Sequence, residues 1–117
     1  MDKISIGKRG EELARKYFQK RGYTIVDHNF RCHFGEIDLI LRKDKAFRFV
    51  EVKFRKTSDY GLPQESVIKN KQKKIRNVAI CWLQRRHLPI YGELHFDVLA
   101  ISEDTGKIKY DYIEDAF

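Results

Sequence analysis

Two short segments that alternate apolar and charged residues constrain the fold of this chain more than any other feature. The first, residues 36–42, reads Glu-Ile-Asp-Leu-Ile-Leu-Arg, and the second, residues 47–55, is rich in Phe and Val. Alternation with a period of two is typical of β-strands, whose successive side chains point to opposite faces of the sheet. Only the mostly charged residues 43–46 separate the two segments. The pattern therefore predicts an antiparallel hairpin.

Further periodic segments surround this hairpin. Apolar residues at helical spacing predict two helices, and β-rich runs predict three more strands. In chain order we expect a helix over 8–21, a strand over 24–30, a polar loop over 56–65 after the hairpin, a helix over 66–86, and strands over 94–101 and 107–113. The order αβββαββ predicts an α/β sandwich, with α+β as the alternative. The length of 117 residues fits a single domain over 1–117.

Acidic residues lie in the middle of both strands of the predicted hairpin. Alternation puts Asp38 on one face with Glu36 and Ile40, and puts Ile37, Leu39 and Leu41 on the opposite face. In the next strand the alternation groups Phe49, Glu51, Lys53 and Arg55 on one face. Pairing of the two strands then brings Asp38 beside Glu51, with Lys53 one step further along.

Such acids have two interpretations. An exposed strand face also alternates in charge, and for a single carboxylate that is the simpler reading. Here Asp38 and Glu51 are flanked by strongly apolar residues, and buried carboxylates are costly unless they are paired or bound to a metal. Two carboxylates and the ammonium of Lys53 form the set of groups that magnesium-dependent phosphodiester hydrolysis requires.

Glu11 borders the apolar stripe of the first predicted helix. It precedes Ala14 by three residues and Phe18 by seven, so it can face the sheet. It can equally be an acid of the first turn that the helix dipole favours.

The positive charge of the chain is concentrated in one segment. The formal net charge is +7, and residues 66–92 contain seven Lys and Arg without any Asp or Glu. Helical spacing puts Lys71 and Gln72 on the inward edge of the second helix, and Lys69, Lys73 and Arg76 on its outward side. The segment is either a solvated basic face or a surface that binds nucleic acid, and Lys71 can also be a structural lysine.

Composition excludes several classes of protein. No segment has the roughly 20 consecutive apolar residues of a membrane helix, and no apolar run follows the first residues. We therefore expect a cytoplasmic protein that does not bind membranes. The two cysteines, Cys32 and Cys81, lack the spacing of a zinc site and are expected to be reduced thiols.

Several motifs of this chain resemble those of the YraN family, small bacterial proteins within the PD-(D/E)XK nuclease superfamily that are similar to archaeal Holliday junction resolvases. The motifs are GKRGE at 7–11, GY at 22–23, NFR at 29–31, GEIDLI at 35–40, FVEVKFR at 49–55, Lys71 within KQKKI, and FDV at 96–98. The resemblance implies a restriction-endonuclease-like αβββαβ core, with a mixed central sheet flanked by helices. It agrees with the order of elements derived above.

The resemblance also implies roles for individual residues. Asp38 and Glu51 would be metal ligands, Lys53 the catalytic lysine, and Glu11 a further acid that reaches the metal. The implied cofactor is Mg²⁺ or Mn²⁺. Lys71 and Gln72 would contact the cut strand of the nucleic acid. The full set of expected contacts adds Arg55 and the outward cations Lys69, Lys73 and Arg76 of the second helix. Similarity to resolvases suggests a homodimer. For Asp97, which also matches the family pattern, we expect a structural hydrogen-bonding role.

The sequence therefore favours a magnesium-dependent endonuclease that hydrolyses phosphodiester bonds in DNA, on branched or damaged structures. The alternative is a nucleic-acid-binding module that retains the nuclease fold but is inactive, or active only with a partner. A weaker third reading is an interaction protein whose acids are structural.

Overall fold

The computed structural model describes residues 3–55, 69–88 and 93–116, together with the side chains of all of these except 3–7 and 69–71. Within these ranges two helices flank one five-stranded sheet. The elements are α1 (Lys3–Lys20), β1 (Thr24–Cys32), β2 (Gly35–Lys43), β3 (Ala46–Arg55), α2 (Lys69–Arg85), β4 (Leu94–Asp104) and β5 (Lys107–Ile113). The predicted α/β class and the predicted order αβββαββ are confirmed.

The sheet is mixed, with its strands in the spatial order β1-β2-β3-β4-β5. The first three strands form an antiparallel meander, and β4 and β5 form a second antiparallel pair. Between these units β3 and β4 pair in parallel. A parallel neighbour requires a crossover connection, and α2 lies in the chain between β3 and β4. This is the arrangement of a restriction-endonuclease-like core with one additional strand.

Each helix covers one face of the sheet with its own apolar cluster. The cluster under α1 contains Ala14 and Phe18 packed against residues such as Leu39 and Val50. The cluster under α2 contains Val78 and Trp82 with partners that include Phe49 and Phe96. Both faces of the central strands are therefore buried, which requires the apolar composition that the sequence shows there.

The end of α1 is fixed by Gly22. This residue has φ 83°, donates its N–H to the carbonyl of Gln19, and is followed by Tyr23, whose N–H bonds the carbonyl of Phe18. These bonds form a Schellman cap, which requires a left-handed residue at this position, and glycine adopts that conformation at no steric cost.

Several predicted boundaries differ from the observed ones. The helix expected over 8–21 begins earlier, at Lys3, and the fourth strand continues to Asp104 rather than ending at 101. The helix expected over 66–86 is described from Lys69 to Arg85. Residues 66–68 and the polar loop expected at 56–65 lie outside the described residues.

The predicted face of Ile37 is wrong. Strict alternation groups it with Leu39 and Leu41, which pack under α1, but Ile37 packs in the cluster under α2. Two features at this end of β2 explain the difference. Its pairing with β3 stops at Leu39, and Asn29 in the neighbouring strand β1 has φ 49°. Because the ladder to β3 has ended and Asn29 gives the paired strand β1 an irregular backbone, the alternation of side chains is not maintained here.

Candidate functional site

The hydrogen-bond ladder between β2 and β3 ends where the predicted acidic residues begin. The last paired residues are Leu39 and Val50, and continuing this register by one step places Asp38 opposite Glu51. There the carboxylate of Asp38 replaces the backbone ladder, since its Oδ2 accepts the N–H of Val52 at 2.7 Å. The two carboxylates are therefore neighbours, as the sequence predicts, and the Asp38 side chain is held by the strand that carries Glu51.

The electrostatics of Asp38 confirm this proximity. Burial and repulsion from Glu51, with a further contribution from Glu36, raise the pKa of Asp38 to about 6, although the Val52 N–H and Lys53 act in the opposite direction. This carboxyl therefore binds a proton more tightly than an exposed aspartate does, because its surroundings disfavour the negative charge. A divalent cation at the same place would relieve the same repulsion.

Lys53 completes this group of residues. Its Nζ lies 3.5 Å from Oε1 of Glu51, and the side chains of Lys53 and Glu51 are 20% and 12% exposed. Both are on β3, the central strand, beside Val98 and Ala100 of β4. Val50, Val52 and Phe54 pack towards α1, while Phe49 packs towards α2. Glu51 and Lys53 alternate along the strand with Val50, Val52 and Phe54, and therefore project on the opposite, α2 side of the sheet.

Glu36 and Glu11 lie at the edges of this site. Glu36 is exposed and pairs with Arg31, from Nη2 to Oε2, at 2.8 Å. Glu11 accepts a hydrogen bond from Asn29 Nδ2 at 2.9 Å and lies 3.1 Å from Nδ1 of His28. In the β1–β2 register Asn29 stands beside Asp38, between the pairs His28–Leu39 and Phe30–Ile37. Glu11 is thus connected through Asn29 to the neighbourhood of Asp38.

Close packing of α1 against β3 brings Glu11 to this end of the sheet. A Cβ atom on Gly10 would lie only 2.9 Å from Cβ of Phe54, so only glycine permits the observed approach. Phe54 is the residue after Lys53, and Gly10 is the residue before Glu11. Among the residues that the structure describes, no three His, Cys, Asp or Glu side chains form a group able to hold a metal ion. The acids close to each other are Asp38 and Glu51.

The side chains expected to contact nucleic acid follow α2 and the end of β3. Lys73 is exposed, Gln72 and Arg55 are half-buried, and the guanidinium of Arg76 lies 4.5 Å from the ring centroid of Phe96. Lys69 and Lys71 belong to the first turn of α2, but their side chains are outside the described part of the structure. The apolar residues of α2 face the sheet, so the helix lies on the side on which Glu51 and Lys53 project, and its exposed cations point away from the sheet into solvent.

Asp97, which pairs with Val50 in the β3–β4 ladder, makes structural contacts on the α1 side of the sheet. Its side chain is fully buried, accepts two hydrogen bonds from Nη1 of Arg48 at 3.0 and 3.1 Å, and accepts further bonds from the Tyr112 hydroxyl and the Asp115 N–H. Burial and the bond to Asp97 raise the pKa of Tyr112 above its usual range. The sequence pattern identifies Asp97 but not its partner Arg48, because that pairing joins strands 49 residues apart.

Asn29 is a second residue that sequence reasoning misses. Its signal in the sequence is the residue type, because asparagine adopts positive φ more readily than other residues with a side chain.

Neither of the described helices has the length and apolar character that crossing a membrane requires.

Comparison with known proteins supports the motif analysis. Residues 10–101 match the family described as "Uncharacterised protein family UPF0102". A UPF0102 protein of Syntrophus aciditrophicus is 42% identical over 114 residues, which cover 97% of this chain and 89% of the relative. One from Geobacter sulfurreducens is 43% identical over 115 residues, with coverages of 96% and 88%. One from Clostridium perfringens is 41% identical over 115 residues, with coverages of 97% and 93%. The chain therefore belongs to the UPF0102 family, the YraN family whose motifs it carries.

Proposed function

We propose that this protein is a metal-dependent endonuclease that hydrolyses phosphodiester bonds in DNA, with Asp38 and Glu51 as ligands of Mg²⁺ or Mn²⁺. The observation that carries the proposal is that the β2–β3 register places Asp38 opposite Glu51, with the ammonium of Lys53 3.5 Å from Glu51. Mg²⁺ is commonly bound by one or two carboxylates, and waters and substrate phosphate oxygens complete its shell. The two acids fit this requirement without a third protein ligand.

The residues of the site divide the work of hydrolysis. A metal ion bound there would supply charge neutralisation at the phosphate and an acidified water. Lys53 donates hydrogen bonds to the attacking water or to the phosphoryl oxygens, where negative charge develops. The Val52 N–H holds Asp38 in place, so this ligand needs little reorganisation when a cation arrives. Glu11, held by Asn29, is the additional acid on the α1 side.

The position of α2 supports DNA as the substrate. The helix covers the side of the sheet on which Lys53 projects, its exposed cations are open to solvent, and residues 66–92 carry no acid that would repel a phosphate backbone. In this proposal Lys69, Lys73, Arg76 and Arg55 contact phosphates, and Lys71 and Gln72 contact the cut strand. The resemblance to resolvases favours branched or damaged DNA and a homodimer in the cytoplasm.

A nucleic-acid-binding module without catalysis is the second candidate. It is favoured by the finding that no third acidic or His ligand joins Asp38 and Glu51 among the described residues. In that case Asp38 and Glu51 would be retained for the fold, or would act only when a partner completes the site.

A cleavage assay distinguishes the two candidates. We would incubate the protein with linear duplex, single-stranded and four-way-junction DNA in the presence of Mg²⁺, Mn²⁺ or EDTA. We expect cleavage that requires metal and falls by at least about 100-fold in Glu51→Gln and Lys53→Ala. Glu93→Gln is the matched control, since this exposed acid lies at the opposite end of β3, where its carbonyl accepts the Phe47 N–H. Metal-dependent cleavage that persists in both site variants would show that the site is wrongly assigned.

A binding assay tests the role of α2 separately from catalysis. Without metal, the affinity for DNA should fall steeply with salt, and Lys73→Ala and Arg76→Ala should each reduce the slope of the log-log plot by about one unit. Lys109→Ala is the control, because this exposed lysine belongs to the edge strand β5. If the control lowers the slope as much as the α2 variants, the phosphate contacts are not on α2.

A further inference from the structure

The end of strand β1 and one face of α2 pack closely at two points. Gly35 pairs with Cys32 in the β1–β2 hairpin, and a Cβ atom on Gly35 would lie 3.7 Å from Cγ2 of Val78. Two residues before Cys32, the ring of Phe30 lies beneath the guanidinium of Arg85, at 5.2 Å from its centroid. Both contacts join the same short piece of hairpin to the same face of the helix.

Cys81 lies between these two contact points on α2. It follows Val78 by three residues and precedes Arg85 by four, so the three side chains form one row on the helix. Cys32 holds the corresponding position on the hairpin, between Gly35 and Phe30, and packs against the apolar cluster under α2. Cys81 is therefore expected to lie near Cys32, and the contribution of Cys32 to the raised pKa of Cys81 agrees with this placement.

We propose that Cys32 and Cys81 are a redox-active dithiol that a low-molecular-weight disulfide, such as oxidised glutathione, converts to an intramolecular disulfide. Both thiols are free, and both residues are partly accessible to solvent. No other cysteine is present in the chain, so no competing intramolecular pairing exists. This inference is independent of the proposed nuclease activity.

The order of the reaction follows from the surroundings of the two sulfur atoms. Burial, with the hydrogen bond from Cys32, raises the pKa of Cys81, although Arg85 acts in the opposite direction. Cys81 is therefore the poorer initial nucleophile. The Cys32 thiolate attacks oxidised glutathione and releases one glutathione thiolate. Cys81 then attacks the Cys32 sulfur, forms the disulfide and releases the second. The two thiol protons end on the two released glutathione molecules, and the chain loses two electrons.

The bond would fasten the β1–β2 hairpin, which carries Asp38, to the helix that carries the basic face. It would also close a loop of about 50 residues, from Cys32 to Cys81, and so restrict the unfolded chain. For a domain of this size we expect the melting temperature of the oxidised form to rise by about 10 °C.

Mass spectrometry of the intact full-length chain after treatment with oxidised glutathione tests the proposal. The wild type should lose two hydrogens and carry no glutathione, and dithiothreitol should restore the reduced mass. Cys81→Ser should retain one glutathione on Cys32. Cys32→Ser should react with oxidised glutathione at least about tenfold more slowly than the wild type, because only the Cys81 thiol remains. A wild type that retains bound glutathione, or that forms disulfide-linked dimers, would overturn the proposal.

Thermal unfolding supplies a second measurement. Oxidised wild type should melt above its reduced form, while Cys81→Ser, treated identically, should not gain stability. If oxidation leaves the melting temperature of the wild type unchanged or lowers it, the two sulfur atoms are not positioned to bond in the native fold, and the proposal fails.

Discussion

Replacing Asp38 by Asn should stabilise the metal-free protein at neutral pH. In the folded chain the pKa of Asp38 is raised from 3.8 to about 6, first by burial and then by repulsion from Glu51. The shift of about two units corresponds to about 3 kcal/mol of unfavourable free energy when the carboxyl is ionised. Asn is nearly the same size, carries no charge, and offers an amide oxygen to the Val52 N–H.

The sign of the effect fixes its dependence on pH. Well below pH 3.8 Asp38 is protonated in both the folded and the unfolded chain, so the carboxyl does not disfavour folding there. As the pH rises through 6 the folded chain must ionise a carboxyl that its surroundings disfavour, and stability is lost. We expect Asp38→Asn to exceed the wild type in stability by up to about 3 kcal/mol at pH 7.5, by less at pH 5, and by only about 0.5 kcal/mol at pH 4.

Urea unfolding in the presence of EDTA, at pH values from 4 to 8, measures this difference. Trp82, the single tryptophan, is buried on the side of α2 that faces the sheet, and its fluorescence reports unfolding. Asp27→Asn is a matched control of opposite sign. Burial alone would raise the pKa of Asp27, but hydrogen bonds from Trp82, the His28 N–H and Arg86 hold it below its usual value. Asp27→Asn should therefore destabilise the protein, and more so above pH 4 than below it.

Two results would refute this reasoning. One is an Asp38→Asn variant that is less stable than the wild type at pH 7.5, and the other is a difference that is the same at pH 4 and pH 7.5. Adding Mg²⁺ extends the experiment, because a ligand that binds only the folded chain raises its stability in proportion to the logarithm of its concentration. We expect this rise in the wild type above pH 6 and its loss in Asp38→Asn.

Three further substitutions test other parts of the structure. Gly10→Ala would bring a Cβ atom within 2.9 Å of Phe54. We expect the free energy of unfolding in urea to fall by about 1–2 kcal/mol, although alanine has the higher helix propensity. Unchanged stability would mean that α1 can shift without cost. Asp97→Ala would leave the largely buried Arg48 with only the longer pair to Glu114, at 3.9 Å, and we expect a loss of about 3–5 kcal/mol. A loss below about 1 kcal/mol would show that the pair with Asp97 is dispensable. The hydrogen bond to Asp115 is the largest cause of the raised pKa of His95. The charged imidazole should therefore stabilise the fold fully below pH 6.5 and lose this effect as the pH rises through the raised pKa. We expect the wild type to lose stability between about pH 6 and 8, and His95→Asn to lack this decrease.

Much of the candidate site could be predicted because it depends on local alternation. The spacing of Asp38 in one strand and of Glu51 and Lys53 in the next, with a short turn between them, is enough to make them neighbours. The same rule fails at Ile37, only one residue from Asp38. Alternation assumes that both neighbouring strands continue, and there the ladder to β3 has stopped.

What the sequence could not give are contacts set by the packing of helices on the sheet. The meeting of Cys32 with Cys81 depends on how α2 is placed along β1, and the link from Glu11 to Asn29 depends on how closely Gly10 lets α1 approach β3. Neither distance is encoded in the periodicity of one element.

The end of the β2–β3 ladder connects the stability of this fold with its proposed activity. A continued ladder would use the Val52 N–H for backbone pairing, and Asp38 would lose the donor that holds it. Because the ladder ends there, the carboxyl of Asp38 is kept beside Glu51 in a half-buried place where ionisation is unfavourable. An arrangement chosen for stability alone would have Asn, or an apolar residue, at position 38. Retention of an acid at this cost is what we expect of a site that binds a cation, and the pH series on Asp38→Asn measures that cost directly.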